Sequence, residues 1–430
     1  MSSEITREFR SNWLMLVIAL VLIFFTFGIP TYSMPFIYSG ASEEFGWSRG
    51  QVTLLASFKY LTGAITGLVM GRLIDLFNPR AMVTWAAVLG GFAMLGFLFA
   101  TSLGIYYLAG IVLGVSASGV TVCMKVIVST LFERGQGTAV GIVLAGTSLA
   151  GVVTPILVVP MIEQWGWRGA MALLSVGIWL VAIPGWLLLF RGRLADASHS
   201  AMASAGGRTS GLWGHFHGLC TDRAFWMMAS GVFLIGAVDM GMLQNQVLFL
   251  QVDKGLDITT VAWATSMLAG IGVAAKVIFG WFYDRYSIRG IMLTYLLLAI
   301  SVLLAFPVAG VTSMFIFMVG RGIVHGGLIV EVPVLTKHYY GRENLGLNMG
   351  IMAAFLQLGM AFGPPMLGAT HDLFGSYTGG FITACIMSLV ASLLLLPVQP
   401  RYWTRPADRQ VVETAPEASC GVLGRPNSPV

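Results

Sequence analysis

Apolar stretches of about 20 residues, the length that crosses the hydrocarbon core of a bilayer as a helix, recur in this chain almost end to end. Nothing else in the sequence constrains its fold as strongly. Six such runs, at 13–38, 51–74, 81–101, 105–131, 138–162 and 169–190, precede a polar segment at 191–222. Six more follow, at 223–250, 258–283, 290–310, 312–337, 345–370 and 378–397. Of the 430 residues, 57% are hydrophobic and only 10% charged, against about 25% charged in soluble domains. A soluble core also stops growing near about 250–300 residues. The pattern therefore predicts an all-α membrane protein with twelve transmembrane helices. It divides into an N-terminal six-helix half (1–190), a cytoplasmic linker (191–222), a C-terminal six-helix half (223–399) and a polar, disordered cytoplasmic tail (400–430). Mixed charges (Glu4, Arg7, Glu8, Arg10) precede the first run without a small-residue cleavage site, so that run reads as a retained helix.

Orientation follows from the basic residues, which accumulate near span ends on the cytoplasmic side. With the N-terminus cytoplasmic, 17 of the 24 Lys and Arg fall on that side, three (Arg49, Arg168, Lys254) on the other, and four inside spans. Both termini are thus expected in the cytoplasm, in a multi-pass protein of the cell inner membrane. The pI near 9.1 comes from short loops between spans and forms no basic patch for nucleic acid. Cys123, Cys220, Cys385 and Cys420 have neither metal-ligand nor disulfide spacing.

One offset relates the halves. Asp75 and Asp284, Arg80 and Arg289, Gly141 and Gly350, and Pro155 and Pro364 are each 209 residues apart. The register describes two parallel six-helix repeats, an arrangement that places substrate between the halves near the midplane and exposes it alternately by rocking.

The segment after span two runs from Gly71 through Asp75 to Arg80, and the one after span eight from Gly280 through Asp284 and Arg285 to Arg289. Both resemble the signature loop of the major facilitator superfamily. The first copy has Leu76 where the signature has a basic residue and Asn78 where it has glycine. The resemblance implies that the glycines permit close helix approach and that the charges form a cytoplasmic latch. Asp75 and Asp284 would then face the starts of spans eleven and five, where a helix N-terminus favours an anion.

Further segments, Phe45-Gly46-Trp47-Ser48-Arg49-Gly50, Leu131 to Gly141, and Gly166-Trp167-Arg168, resemble the bacterial monocarboxylate-transporter-like branch. Phe132, Arg134, Ala139 and Gly141 match its span-five motif, while Glu133 and Gly135 depart from it. That branch has a Lys after a Pro in span one, and an Asp and an Arg one turn apart in span eight. Here Thr31 follows Pro30, Gly272 stands at the acidic position and Lys276 at the basic one. The resemblance implies that Lys276 meets the substrate's carboxylate, without the two-pronged geometry of Arg.

Six ionisable residues fall inside spans: Lys59, Lys125, Lys276, Arg321, Asp239 and Glu331. Each costs at least about 2.5–3.5 kcal/mol near the bilayer centre, so each is a functional candidate by default. Their positive excess suits an anionic substrate. Lys276, Lys59, Arg321 and His325, with Thr31 and Tyr32, are the expected substrate-binding residues, Lys59 at the entrance. Asp239 and Glu331 are the expected proton-coupling groups. Asp239 either exchanges protons or forms a standing ion pair with Lys276. Lys125 either snorkels outward or pairs with Glu331 as a gate, and His325 either titrates or makes a helix contact.

No nucleophile with its base, metal cluster or phosphate loop accompanies these features, so neither an enzyme nor a cofactor is expected. The expectation is a monomeric secondary active transporter for a small organic anion, a monocarboxylate, moved with protons by alternating access. Export of drug-like or other small metabolites, and organic-anion exchange, are the alternatives. Thr154-Pro155 stands where exporters of the superfamily carry Gly-Pro.

Overall fold

The computed structural model describes residues 3–76, 79–132, 136–189, 217–341 and 345–402. The expected linker up to residue 216 and the tail from residue 403 lie outside the described residues. Among those described, ten helical segments are long and apolar enough to cross a membrane. Two contain a break: Gly166 (φ 68°, ψ 172°) within Gln136–Gly177, and Ser287 (φ 52°, ψ −135°) within Ile258–Leu303. Divided there, the ten become twelve spans.

Span one is helical over Ser3–Ile23, passes through a π-helical turn at Phe24–Gly28, and continues over Ile29–Phe45. Spans two, three and four are Arg49–Leu76, Pro79–Gly96 and Leu103–Leu131. Spans five and six meet at Gly166, and six continues through Ile178–Ala182 to Ile183–Leu189. Span seven is Arg223–Leu248 with a π-helical end at Phe249–Asp253, and spans eight and nine meet at Ser287. Spans ten, eleven and twelve are Val311–Tyr340, Leu345–Phe374 and Thr378–Leu395. Most helices overrun the expected limits by a turn or less, because amphipathic ends extend past the apolar core. Span one overruns most, starting ten residues early.

Large apolar side chains such as Trp85, Leu180, Val277, Trp281 and Leu393 point outward. An apolar outer surface of this kind on helices long enough to cross a bilayer suits lipid. The interior instead gathers polar side chains, Lys59, Asp239, Arg321, His325 and Glu331 among them.

The repeat is written in the backbone as well. Gly46 and Gly255 end helices at φ 66° and 64°, and Gly166 and Gly375 turn the chain at φ 68° and 66°. Each pair is 209 residues apart, and a positive φ is a place where glycine alone is unstrained. Ser287 turns without that freedom. It is buried, and its hydroxyl meets Nδ1 of His338 at 2.9 Å, one of the contacts that hold a residue in a costly conformation.

Spans two and eleven, and spans five and eight, pack across the two halves. Within the C-terminal half, small residues bring backbones together around the charged positions. A Cβ on Gly363 of span eleven would lie 1.8 Å from the carbonyl oxygen of Ala237, two residues before Asp239. On span ten, a Cβ on Gly322 or Gly326 would lie 2.7 Å from Leu268 O or 2.5 Å from Gly272 O. Those glycines press Arg321 and His325 between spans eight and seven.

Candidate functional site

Span one delivers the N-terminal half's contribution. Pro30 cannot donate a helix hydrogen bond, and the π-helical turn before it widens the helix. Hydroxyls absorb part of the disruption: Thr26 donates to Leu22 O at 2.7 Å and Thr31 to Phe27 O at 2.6 Å. Thr31 and Tyr32, just past the distortion, are buried and face the interior.

Asp239 of span seven is 2% exposed and both its oxygens are engaged. Nη2 of Arg321 donates to Oδ1 at 2.8 Å and to the Asp239 carbonyl at 3.1 Å. Nδ1 of His325 lies 2.8 Å from Oδ2. The other ring nitrogen, Nε2, lies 3.4 Å from the Tyr32 hydroxyl. One buried chain of contacts thus runs from span ten to seven, back to ten, and across to span one. Nε and Nη1 of Arg321 are buried and meet no hydrogen-bond partner among the described residues.

Beside it, Lys59 of span two is 1% exposed. Its ammonium donates to the Thr31 hydroxyl and lies 5.1 Å from the ring centroids of both Phe27 and Tyr60. Lys276 of span eight is half-buried and donates to the hydroxyl of Ser148 in span five, across the halves. Ser148 is one turn from Gly151, where a Cβ would lie 2.7 Å from the Tyr32 ring and 2.8 Å from Ala269. Among the described residues, no carboxylate lies within ion-pair distance of Lys59 or Lys276.

Several expectations change. Asp239 pairs with Arg321 and lies against His325, not Lys276, because the i to i+4 spacing on span ten puts both side chains on the face toward span seven. Lys59 is sealed inside instead of lining an entrance, since its side chain points at span one. Lys125 is exposed while Glu331 is fully buried, and the two form no pair. The Glu331 carboxyl faces Tyr295 and Tyr283 inside the C-terminal half, and neither oxygen makes a hydrogen bond among the described residues.

The gate residues are placed unevenly. The surroundings of Gly71 and Asp75 lie outside the described residues. Arg80 donates to Leu187 O at 2.8 Å. A Cβ on Gly280 would meet Val330 at 3.9 Å, an ordinary contact. Asp284 and Arg289 are exposed, and Arg285 stacks 5.9 Å from the Tyr286 ring.

Sequence reasoning missed the three consecutive amides Gln244, Asn245 and Gln246 in span seven. All are buried. Tyr38 donates to Gln244 Oε1 at 2.7 Å, Gln244 Nε2 to Thr31 O at 3.3 Å, and Asn245 Nδ2 to Pro364 O at 3.0 Å. Three amides in an apolar run were the signal, since polar groups in a span need partners. Also missed was a cluster joining the halves at the end that is poor in basic residues. Asp372 of span eleven accepts from the backbone N–H of Arg49 at 2.9 Å and of Gly50 at 2.7 Å, capping span two, while Arg49 Nη2 pairs with Asp253 at 2.5 Å. Loss of a capping carboxylate costs about 1 kcal/mol, or about fivefold in an equilibrium. Asp372→Ala should therefore increase by that factor the population open at this end. Spin labels at Thr101 and Leu373, both exposed, should report a longer-distance population. An unchanged distribution would refute the clamp.

Comparison with known proteins gives a consistent result. The family model described as Major Facilitator Superfamily matches residues 16–320 and 240–419. Monocarboxylate transporter 13 of Bos taurus is 24% identical over 392 residues, covering 90% of this chain and 88% of that protein. Monocarboxylate transporter 12 of Xenopus laevis is 23% identical over 348 residues, with 74% of each covered. The MFS-type transporter opdF of Penicillium oxalicum is 23% identical over 388 residues, covering 89% and 88%. Among solved structures, a bacterial homologue of the human lysosomal transporter Spinster, inward-facing and occupied, superposes with a TM-score of 0.66 at 16% identity, covering 91% of this chain and 95% of that one. At that identity the likeness concerns the fold.

Proposed function

The chain belongs to the major facilitator superfamily, and from that membership we propose a secondary active transporter that moves a small organic anion, a monocarboxylate, together with protons by alternating access. The observation that carries this reading is the pair of ammonium groups, Lys59 against Thr31 of span one and Lys276 against Ser148 across the halves, with no carboxylate at ion-pair distance among the described residues. Asp239 does not supply one, because Arg321 already neutralises it. A cation held away from water needs a counter-charge, and a transported carboxylate would supply it at the seam where Lys276 meets Ser148. Relatives named as monocarboxylate transporters support the substrate class. The distribution of Lys and Arg supports an inner-membrane protein with both termini cytoplasmic. The expected latch around Asp75 and Asp284 would close the cytoplasmic end when the Asp372 clamp releases the other.

Proteoliposomes loaded by dilution and assayed with labelled pyruvate, lactate and benzoate test the reading. Lys276→Gln keeps a donor for Ser148 but removes the charge. A lost charged hydrogen bond is worth about 1.5–3 kcal/mol, so carboxylate affinity should fall at least about tenfold. Undiminished carboxylate uptake by this variant, or uptake confined to neutral or cationic compounds, would exclude the proposal.

A further inference from the structure

Resting on the reading above, we infer that the transported proton binds His325 at Nε2, and that Tyr32 links this event to the joint between the halves. Asp239 is a poor carrier because each of its oxygens is already bonded, one by a guanidinium. An ionised carboxylate only accepts hydrogen bonds, so Nδ1 of His325 must carry the proton directed at Oδ2. That fixes the tautomer and leaves the lone pair on Nε2 as the vacant basic site of the cluster.

Nε2 faces the Tyr32 hydroxyl at 3.4 Å, longer than a well-formed hydrogen bond. In neutral His325, Tyr32 donates to Nε2. When a proton arrives from water at Nε2, the imidazole becomes a donor at both nitrogens, and the Tyr32 oxygen becomes the acceptor. The step breaks no covalent bond in the protein: the Tyr32 O–H turns away from Nε2, hydronium gives up one proton to that lone pair, water leaves, and release reverses it. Because Tyr32 belongs to span one and His325 to span ten, the reversal happens across the surface along which the halves move.

The charged groups around the ring determine what the proton does. Span seven presents Asp239, and span ten's own Arg321 pairs with it. Span one presents the Tyr32 hydroxyl, and Lys59 of span two reaches the adjacent Thr31. Span eight presents Gly272, where a Cβ would lie 3.9 Å from the imidazole Cδ2, with Lys276 one turn beyond. Arg321 and Asp239 cancel, so protonation adds one net positive charge to a buried site. A bound carboxylate offsets that addition. Proton and anion therefore raise each other's affinity by the same factor, and one charge balances one charge.

The six histidines permit a test that needs no substrate. With ¹⁵N-labelled histidine, NMR of the purified wild-type protein should contain a resonance, assigned by its loss in His325→Gln or in His325→Asn, that holds its proton on Nδ1 at high pH. It should gain a second proton on Nε2 as the pH is lowered. In proteoliposomes, the wild type should accumulate the carboxylate identified above about tenfold per unit of inward pH gradient, the ratio for one proton per anion. The His325 variant should equilibrate it without accumulation. A resonance that never titrates, an Nε2-bound proton at high pH, or intact proton-driven accumulation in the variant would overturn the assignment. If the wild type moves no carboxylate, the transport reading fails, and the tautomer and titration still decide whether His325 binds the proton.

Discussion

Arg321→Met should cost the protein about 3–5 kcal/mol of stability, because it strands a buried carboxylate whose guanidinium partner is gone. Asp239 is held on one oxygen by Arg321 at 2.8 Å and has His325 on the other. Loss of the guanidinium leaves its negative charge enclosed by spans seven, ten and one, where water cannot replace the lost donor. Asp239→Asn should be costly for the mirror reason, since Arg321 is fully buried and two of its nitrogens already meet no hydrogen-bond partner among the described residues. The double variant Asp239→Asn with Arg321→Met removes both charges. It should recover most of the loss, giving a coupling energy of the size of the single effects. Thermal melting of the detergent-purified proteins measures all three. Single variants that melt within about 2 °C of the parent would show that the pair does not hold the C-terminal half together. Equal losses in the double and single variants would place the damage in packing instead of charge.

The spans were readable because lipid demands long apolar helices, and the halves were readable because one offset recurred. The left-handed glycines repeat at that same offset, so Gly46 with Gly255 and Gly166 with Gly375 belonged to the same pattern without having been noticed. The site was only partly readable. Depth along a helix follows from counting residues, which placed Asp239 and His325 near the middle, Lys59 nearer the outer end and Lys276 about two turns from the cytoplasmic end. Azimuth does not follow, because these spans are buried on several sides and no single polar stripe marks an inner face. Asp239 and Arg321 are 82 residues apart, and only the packing of span seven against ten decides that they meet. The same ignorance of facing separated Glu331 from Lys125. Their depths are similar, but Glu331 turns toward Tyr283 and Tyr295 within its own half. Ser148 carried no sequence signal at all. Its role comes from lying opposite Lys276 where spans five and eight cross.

Lys59→Met should leave the fold as stable as the parent or more so, while carboxylate transport falls by about a hundredfold or more. The opposite signs come from one cause. Lys59 is 1% exposed, with a hydroxyl and two aromatic rings as its neighbours and no carboxylate among the described residues. Replacing a buried charge with an apolar side chain of similar volume is often neutral or stabilising, and cation–π contacts at a desolvated site offset only about 2 kcal/mol. A residue that the fold would be better without, yet which reaches Thr31, whose carbonyl accepts from Gln244 of the other half, is suited to a ligand's charge. Methionine fills the volume and keeps contact with Phe27 and Tyr60, so lost transport would not reflect a cavity. Binding of the anion is worth most where water is excluded, which makes the loss larger here than at the half-buried Lys276. Melting temperature and uptake, measured on one preparation, separate the possibilities. A marked fall in melting temperature with normal uptake would make Lys59 a structural residue, held by Thr31 and the rings. A stable protein with normal uptake would leave Lys276 as the ammonium that holds the anion.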